Sequence, residues 1–234
     1  MLANSNRQTD RFRTPQACGK RGRSMESSTQ TISHLSQLAW CEVCARSDTR
    51  TGEQVEMPAT VAVESSDPQV LESRFATDFP VLRHLSMALG LAGVTELHVL
   101  VEQFAAVVEQ LRWSQNPSYD ESNCSSSFLE GYAYAAFSGP DGPVQCAAPR
   151  GGMMLMGPNV HYVDHRHAPR EAYLVMTPGS QWRLDEGEWF DVVPGDLIVH
   201  GEWQMHAMRT RDLPLLAFAG WMEPGSRAAI ELHD

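Results

Sequence analysis

"HYVDHRHAPREAY", residues 161–173, places three histidines, one glutamate and two tyrosines within thirteen positions. Side chains two apart on a strand share a face, so His165 projects with His167, and Glu171 with Tyr173. A short connection through Ala168, Pro169 and Arg170 joins the two pairs. If that face is the interior of a barrel, two imidazoles and a carboxylate converge where one divalent metal ion could sit. A third imidazole follows at the start of "HAMRT", residues 206–210. Burying such a set without a cation would leave polar groups lacking partners, at roughly 1–3 kcal/mol each. The donors suit Fe, Zn, Mn, Co or Ni, all of which accept mixed nitrogen and oxygen ligands. His161, of opposite parity, belongs to the core or the surface.

From about Phe128 onward, short apolar or alternating runs are separated by Gly, Pro, Asp and Asn, as in "GYAYAAFSG", "GGMMLMGPN" and "LPLLAFAGW". That texture indicates an antiparallel sandwich or barrel. Upstream, Asp67-Pro68 reads as the start of a helix over "PQVLESRFATDF", followed by "PVLRHLSMALGLAG" ending in glycines. Thr95 then caps "ELHVLVEQFAAVVEQLRW", whose Leu97, Leu100, Val101, Phe104, Val108 and Leu111 recur at helical spacing. The expected organisation is a loosely structured or disordered extension over 1–66, a helical portion over 67–127, a β-barrel over 128–226 and a tail over 227–234.

The 234 residues carry a formal charge of -11 and 42% apolar side chains. An acidic, globular chain is a poor match for nucleic acid, which needs a dense set of cations. No apolar run approaches the roughly 20 residues of a membrane span. The first 23 residues set six cations against Asp10 alone, but no apolar stretch follows, so the basic start is not read as a secretion signal. Five irregularly spaced cysteines, with one unpaired "CEVC" at 41–44, point to a reduced, cytoplasmic chain.

"GPNVHYVDHRHAPREAYLVMTPG", residues 157–179, resembles the first motif of the cupins, with Gly157, His165, His167, Glu171 and Gly179 in the motif positions. "GEWFDVVPGDLIVHGEWQMH", residues 187–206, resembles the second, with Gly195-Asp196 turning into the strand that leads to the last ligand. His200 replaces the usual proline and the following loop is one residue longer, so His200 and His206 compete for the third imidazole; the loop position favours His206. The resemblance implies a mainly β protein, a single cupin jelly-roll barrel preceded by an α-helical N-terminal portion.

The spacing His-x-His-x-x-x-Glu-x-Tyr, with Tyr162 and "NPSYDESNCSSSFLEGYAYAAFSGPDGP" ahead of it, is similar to the cupin-type dimethylsulfoniopropionate (DMSP) lyases over roughly residues 95–225. That resemblance implies metal ligands at His165, His167, Glu171 and His206, a catalytic tyrosine at Tyr173 and a further active-site tyrosine at Tyr162. The reaction it implies is β-elimination of DMSP to dimethyl sulfide and acrylate. The substrate is a zwitterion, so its sulfonium end needs an electron-rich wall. Tyr162 is the leading candidate and Trp221 the next, among Tyr132, Tyr134, Trp182, Trp203 and Phe218. Arg166 has the wrong parity to face the barrel, and neither it nor Arg170 is assigned to the site. Two other readings use the same donors: an Fe(II) dioxygenase acting on a small organic acid, and a non-catalytic ligand-binding cupin. Self-association into a homo-oligomer is compatible with all three.

Overall fold

The computed structural model describes residues 19–62, 74–76, 78–224 and 231–233. Helix α1 (Gly19–Cys44) leads into strand β1 (Arg74–Ala76). Helices α2 (Leu85–Ala92) and α3 (His98–Val107) and strand β2 (Trp113–Gln115) come next, then the short helix α4 (Ser126–Gly131). The remaining strands are β3 (Tyr132–Ser138), β4 (Arg150–Met156), β5 (His161–Arg166), β6 (Glu171–Val175), β7 (Ser180–Leu184), β8 (Phe190–Val192), β9 (Leu197–His200), β10 (His206–Thr210), β11 (Leu215–Trp221) and β12 (Glu231–His233). They form a seven-stranded sheet, β1-β2-β3-β4-β11-β6-β9, and a five-stranded sheet, β12-β5-β10-β7-β8. All the pairings between these strands are antiparallel.

Alternation along the strands divides the apolar residues into two clusters. Tyr173 and Val175 of β6, and Ala217 and Ala219 of β11, join Met154, Tyr162, Trp182 and Met208 between the two sheets. Leu174 of β6, and Leu216 and Phe218 of β11, face the other way, onto Trp40, Leu100 and Phe104 of the helices. The jelly-roll expectation is met: this is a barrel of two facing sheets with a helical layer on one of them.

The helical layer differs from the expectation at several points. In α1, Ile32, Leu35, Ser36, Ala39, Trp40 and Val43 are buried at helical spacing, and the helix packs on α3 and β3. From Ile32 to Val43 the helix is therefore part of the core, which corrects the loosely structured extension expected up to residue 66. The docking is close. Gly151 and Gly220 face each other across β4 and β11, and a Cβ at Gly220 would lie 2.6 Å from the Trp40 ring. Residues 45–62 run back along the barrel, where the buried Asp48 accepts Val199 N at 2.7 Å and also caps its own turn through Arg50 N and Thr51 N.

The helix expected from Pro68 is corrected at Arg74–Ala76, which is a strand paired with β2; residues 63–73 lie outside the described residues. The third helix is shorter than its apolar stripe. It begins at His98 and ends at Val107, and Trp113 is already in β2, where its side chain meets Phe104 edge-on. The barrel also draws strands from outside 128–226: β1 and β2 extend one sheet, and β12, from the expected tail, pairs with β5. Pairing of this kind satisfies edge N–H and C=O groups that would otherwise stay open.

Candidate metal centre

The donors predicted from 161–173 come together at one end of the barrel. β5 carries His165, β6 begins at Glu171, and the connection between them holds His167. β10 begins at His206, which pairs in register with His165, and β9 ends at His200, which pairs with Glu171. All five side chains are buried, and His200 and His206 are fully so. Donor atoms of His167, Glu171 and His206 lie within 4.8 Å of one another. His165 adjoins them, with its ring centroid 4.0 Å from that of His206.

Three of the imidazoles are pinned by the same device. The Nδ1–H of His165 donates to Val163 O at 2.9 Å, that of His167 to Pro169 O at 2.8 Å, and that of His206 to Gln204 O at 2.9 Å. A carbonyl only accepts, so Nδ1 carries a proton in all three, and Nε2 is the atom turned toward Glu171 and the pocket. His200 is held differently: its Nδ1 lies 3.4 Å from Glu171 Oε2, and its ring stacks on His206 at 3.7 Å. Glu171 Oε2 is 2.9 Å from His167 Nε2 and 3.4 Å from His206 Nε2. Glu171 Oε1, His206 Nε2 and His200 Nε2 are buried without a hydrogen-bond partner. Orphaned buried acceptors beside a carboxylate are what a divalent ion would satisfy, so the donor set fits a metal.

The electrostatics are dominated by burial. Desolvation, with His206 next to it, holds His165 well below the ordinary imidazole range, and the same causes bring His200 down to about 3. Burial pushes the Glu171 carboxyl up, but His167 above all, with His200 and His206 beside it, carries it well below the usual range. Glu171 is a carboxylate. Burial and then the charge of Glu171, which shares the cavity wall with it, push the Tyr173 phenol well above its ordinary value.

A cavity of about 50 Å³ adjoins the cluster, and its wall includes His165, His167, Glu171, Tyr173, Tyr162 and Trp221. The two predicted aromatic wall residues therefore both reach it. Tyr162 stacks on His165 at 4.1 Å, and its hydroxyl makes a short hydrogen bond to that of Tyr119. Trp221 Nε1 approaches His167 Nε2 at 3.4 Å. Tyr132 and Tyr134 line the same cavity. Of the other aromatic candidates, Phe218 faces the helices, Trp182 lies beneath Tyr173, and Trp203 is exposed in the loop after β9. Arg170 pairs with Glu53 away from the cavity. Tyr119 carries no signal in the sequence; it sits in a polar stretch with no periodicity, and only the fold brings it against Tyr162.

Two facing antiparallel sheets around a buried histidine–carboxylate pocket define the class: a cupin barrel. A family model described as dimethylsulfoniopropionate lyase matches residues 56–217. The chain belongs to the dimethylsulfoniopropionate lyase family. A curated relative, the dimethylsulfoniopropionate lyase DddQ of Ruegeria pomeroyi, is 24% identical over 104 residues, which cover 44% of this chain and 52% of the relative. The chain thus spans about half the length of that relative. The fold is similar to that in "Crystal structures of DMSP lyases RdDddP and RnDddQII", with a TM-score of 0.65 at 22% identity over 90% of this chain and all of the other. It is also similar to the crystal structure of DddQ from Ruegeria pomeroyi DSS-3, with a TM-score of 0.61 at 18% identity over 88% and 96% of the two chains.

Proposed function

We propose that this chain is a metal-dependent carbon–sulfur lyase that cleaves DMSP to dimethyl sulfide and acrylate by β-elimination. The observation that carries the reading is the buried cluster of His167, Glu171 and His206 with Tyr173 on the wall of the cavity beside it. His165 completes the proposed ligand set. The common Nδ1 pinning supports His206 over His200 as the third imidazole, because an imidazole fixed through one nitrogen presents the other. Membership of the family and the DddQ relative support the substrate.

Elimination removes a proton from the carbon next to the carboxylate, and the C–H pair becomes the new double bond. The C–S pair leaves with sulfur, which departs as a neutral thioether and needs no acid. A divalent ion, when bound, supplies Lewis acidity toward the carboxylate and a positive charge that offsets Glu171. Tyr173 is the proposed base, with its hydroxyl oxygen receiving the proton. Burial and the Glu171 charge raise its pKa, and a neighbouring dication would lower it, which supports pairing this base with a metal. Burial holds the Tyr162 and Tyr119 phenols well above their ordinary values, so this linked pair stays protonated and serves as wall. With Trp221 it presents π faces to the sulfonium. Burial of the cluster keeps bulk water from the proton transfer.

The described cysteines are free thiols, which supports a reduced, cytoplasmic setting. Among the described residues no helix is long and apolar enough to cross a membrane. The test is anaerobic incubation of full-length protein, loaded in turn with Fe, Zn, Mn, Co and Ni, with DMSP, followed by headspace analysis for dimethyl sulfide and assay of acrylate. Equimolar products are expected without oxygen. Absence of both with every metal overturns the reading.

A further inference from the structure

A second chamber of about 90 Å³ opens beside the metal-type pocket and shares Asn116, Tyr132, Tyr134, His167 and Trp221 with it. Its wall includes Arg150, the first residue of β4. Register explains why. Arg150 stands opposite Trp221, Trp221 opposite Glu171, and Glu171 opposite His200, so the four residues form one row across β4, β11, β6 and β9. Residues directly opposite one another on adjacent strands project to the same face. Arg150 is therefore on the face that carries the site, one strand beyond Trp221.

Among the described residues, no carboxylate lies at ion-pair distance from Arg150, although Asp141 lines the same chamber. The Nε of Arg150 is buried and has no hydrogen-bond partner. The guanidinium lies over the Trp221 ring, with Cζ 5.2 Å from the ring centroid. Gly139 closes over its stem: a Cβ there would come within 3.0 Å of Arg150 Cγ. Burial lowers the guanidinium pKa, and Tyr134, Glu171 and Cys146 only partly offset this. A stacked, stem-packed guanidinium is pre-organised, and its planar donors match a carboxylate in bidentate geometry.

We infer that Arg150 forms an outer carboxylate subsite, where a short monocarboxylate is held in the chamber beside Trp221 before or after it occupies the metal-type pocket. The identity of that carboxylate, DMSP entering and acrylate leaving, rests on the lyase reading. The anion-binding property itself does not. For a zwitterion the consequence is a defined direction of entry: the fixed cation attracts the carboxylate end and repels the sulfonium, so the molecule passes the chamber carboxylate first.

The experiment uses full-length protein stripped with a chelator and titrated with sodium propionate, read by tryptophan fluorescence and calorimetry. Saturable binding is expected, weakened about tenfold or more in Arg150→Met, as loss of a charge-assisted hydrogen-bonded pair implies. Arg150→Lys, which keeps the charge but not the fork, should fall between the two and serves in its place if Arg150→Met does not fold. In loaded enzyme the same variants should raise KM for DMSP more than they lower kcat. Propionate binding that is absent from the wild type, or unchanged in the variants, overturns the inference. Arg150-dependent propionate binding in a protein that releases no dimethyl sulfide with any metal leaves the subsite standing and removes the lyase reading.

Discussion

The two faces of the seven-stranded sheet are both buried, yet they are built from different chemistry. One face meets the helices through a packed aromatic and aliphatic layer in which Trp40 lies edge-on to Phe218 at 5.4 Å. The other meets the second sheet through aromatics that give way, at one end, to the row Arg150, Trp221, Glu171 and His200. Neighbouring residues of a single strand serve opposite purposes: in β6, Tyr173 faces the pocket and Leu174 the helices. Substitutions on the helix side should thus change stability while sparing chemistry, and those on the pocket side should do the reverse.

The largest expected effect is on the pocket side. His206→Ala and Glu171→Ala should each lose stoichiometric metal, read by elemental analysis after dialysis, and with it all turnover. His200→Ala should keep more metal than His206→Ala; the opposite order would reverse the choice of third imidazole. Next, Tyr173→Phe should retain metal but lower kcat by about 10²–10⁴-fold, the range for loss of a general base. Full activity in that variant would place proton abstraction elsewhere.

On the helix side, Trp40→Ala should cost about 3–5 kcal/mol in denaturant unfolding, the usual range for a buried aromatic. The folded fraction should keep its kcat, and a loss of activity beyond the loss of folded protein would break the contrast between the faces. The smallest effect is expected at the seam. Asp48→Ala leaves Val199 N unpaired and should cost about 1–3 kcal/mol. Because Val199 precedes His200 rather than a pinned imidazole, its metal affinity should stay within a few-fold of wild type.

The strands and the convergence of donors were legible in the sequence because both follow from a period of two. His165 with His167, and Glu171 with Tyr173, need only extended backbone to point together. The faces were harder to separate. With both sides of the sheet buried, β11 reads as the unbroken run "LLAFAGW", and the run alone does not reveal that Phe218 faces the helices and Trp221 the pocket. α1 is hard to read from the sequence because its apolar stripe is narrow and interleaved with Ser, Gln and His, and its docking depends on two glycines more than a hundred residues away. The strand at Arg74–Ala76 was hidden by helix-start chemistry at Asp67-Pro68, since pairing with β2 is a tertiary choice. Arg150 carries no motif; only register aligns it with Glu171.

His165 and His206 belong to the five-stranded sheet and Glu171 to the seven-stranded one, while His167 lies in the segment that crosses between them. An ion held by these four residues would rivet the two halves of the barrel at its open rim. Its grip would then register as resistance to melting that climbs with free ion concentration, so the heat resistance of the barrel would serve as a gauge of how fully the centre is loaded.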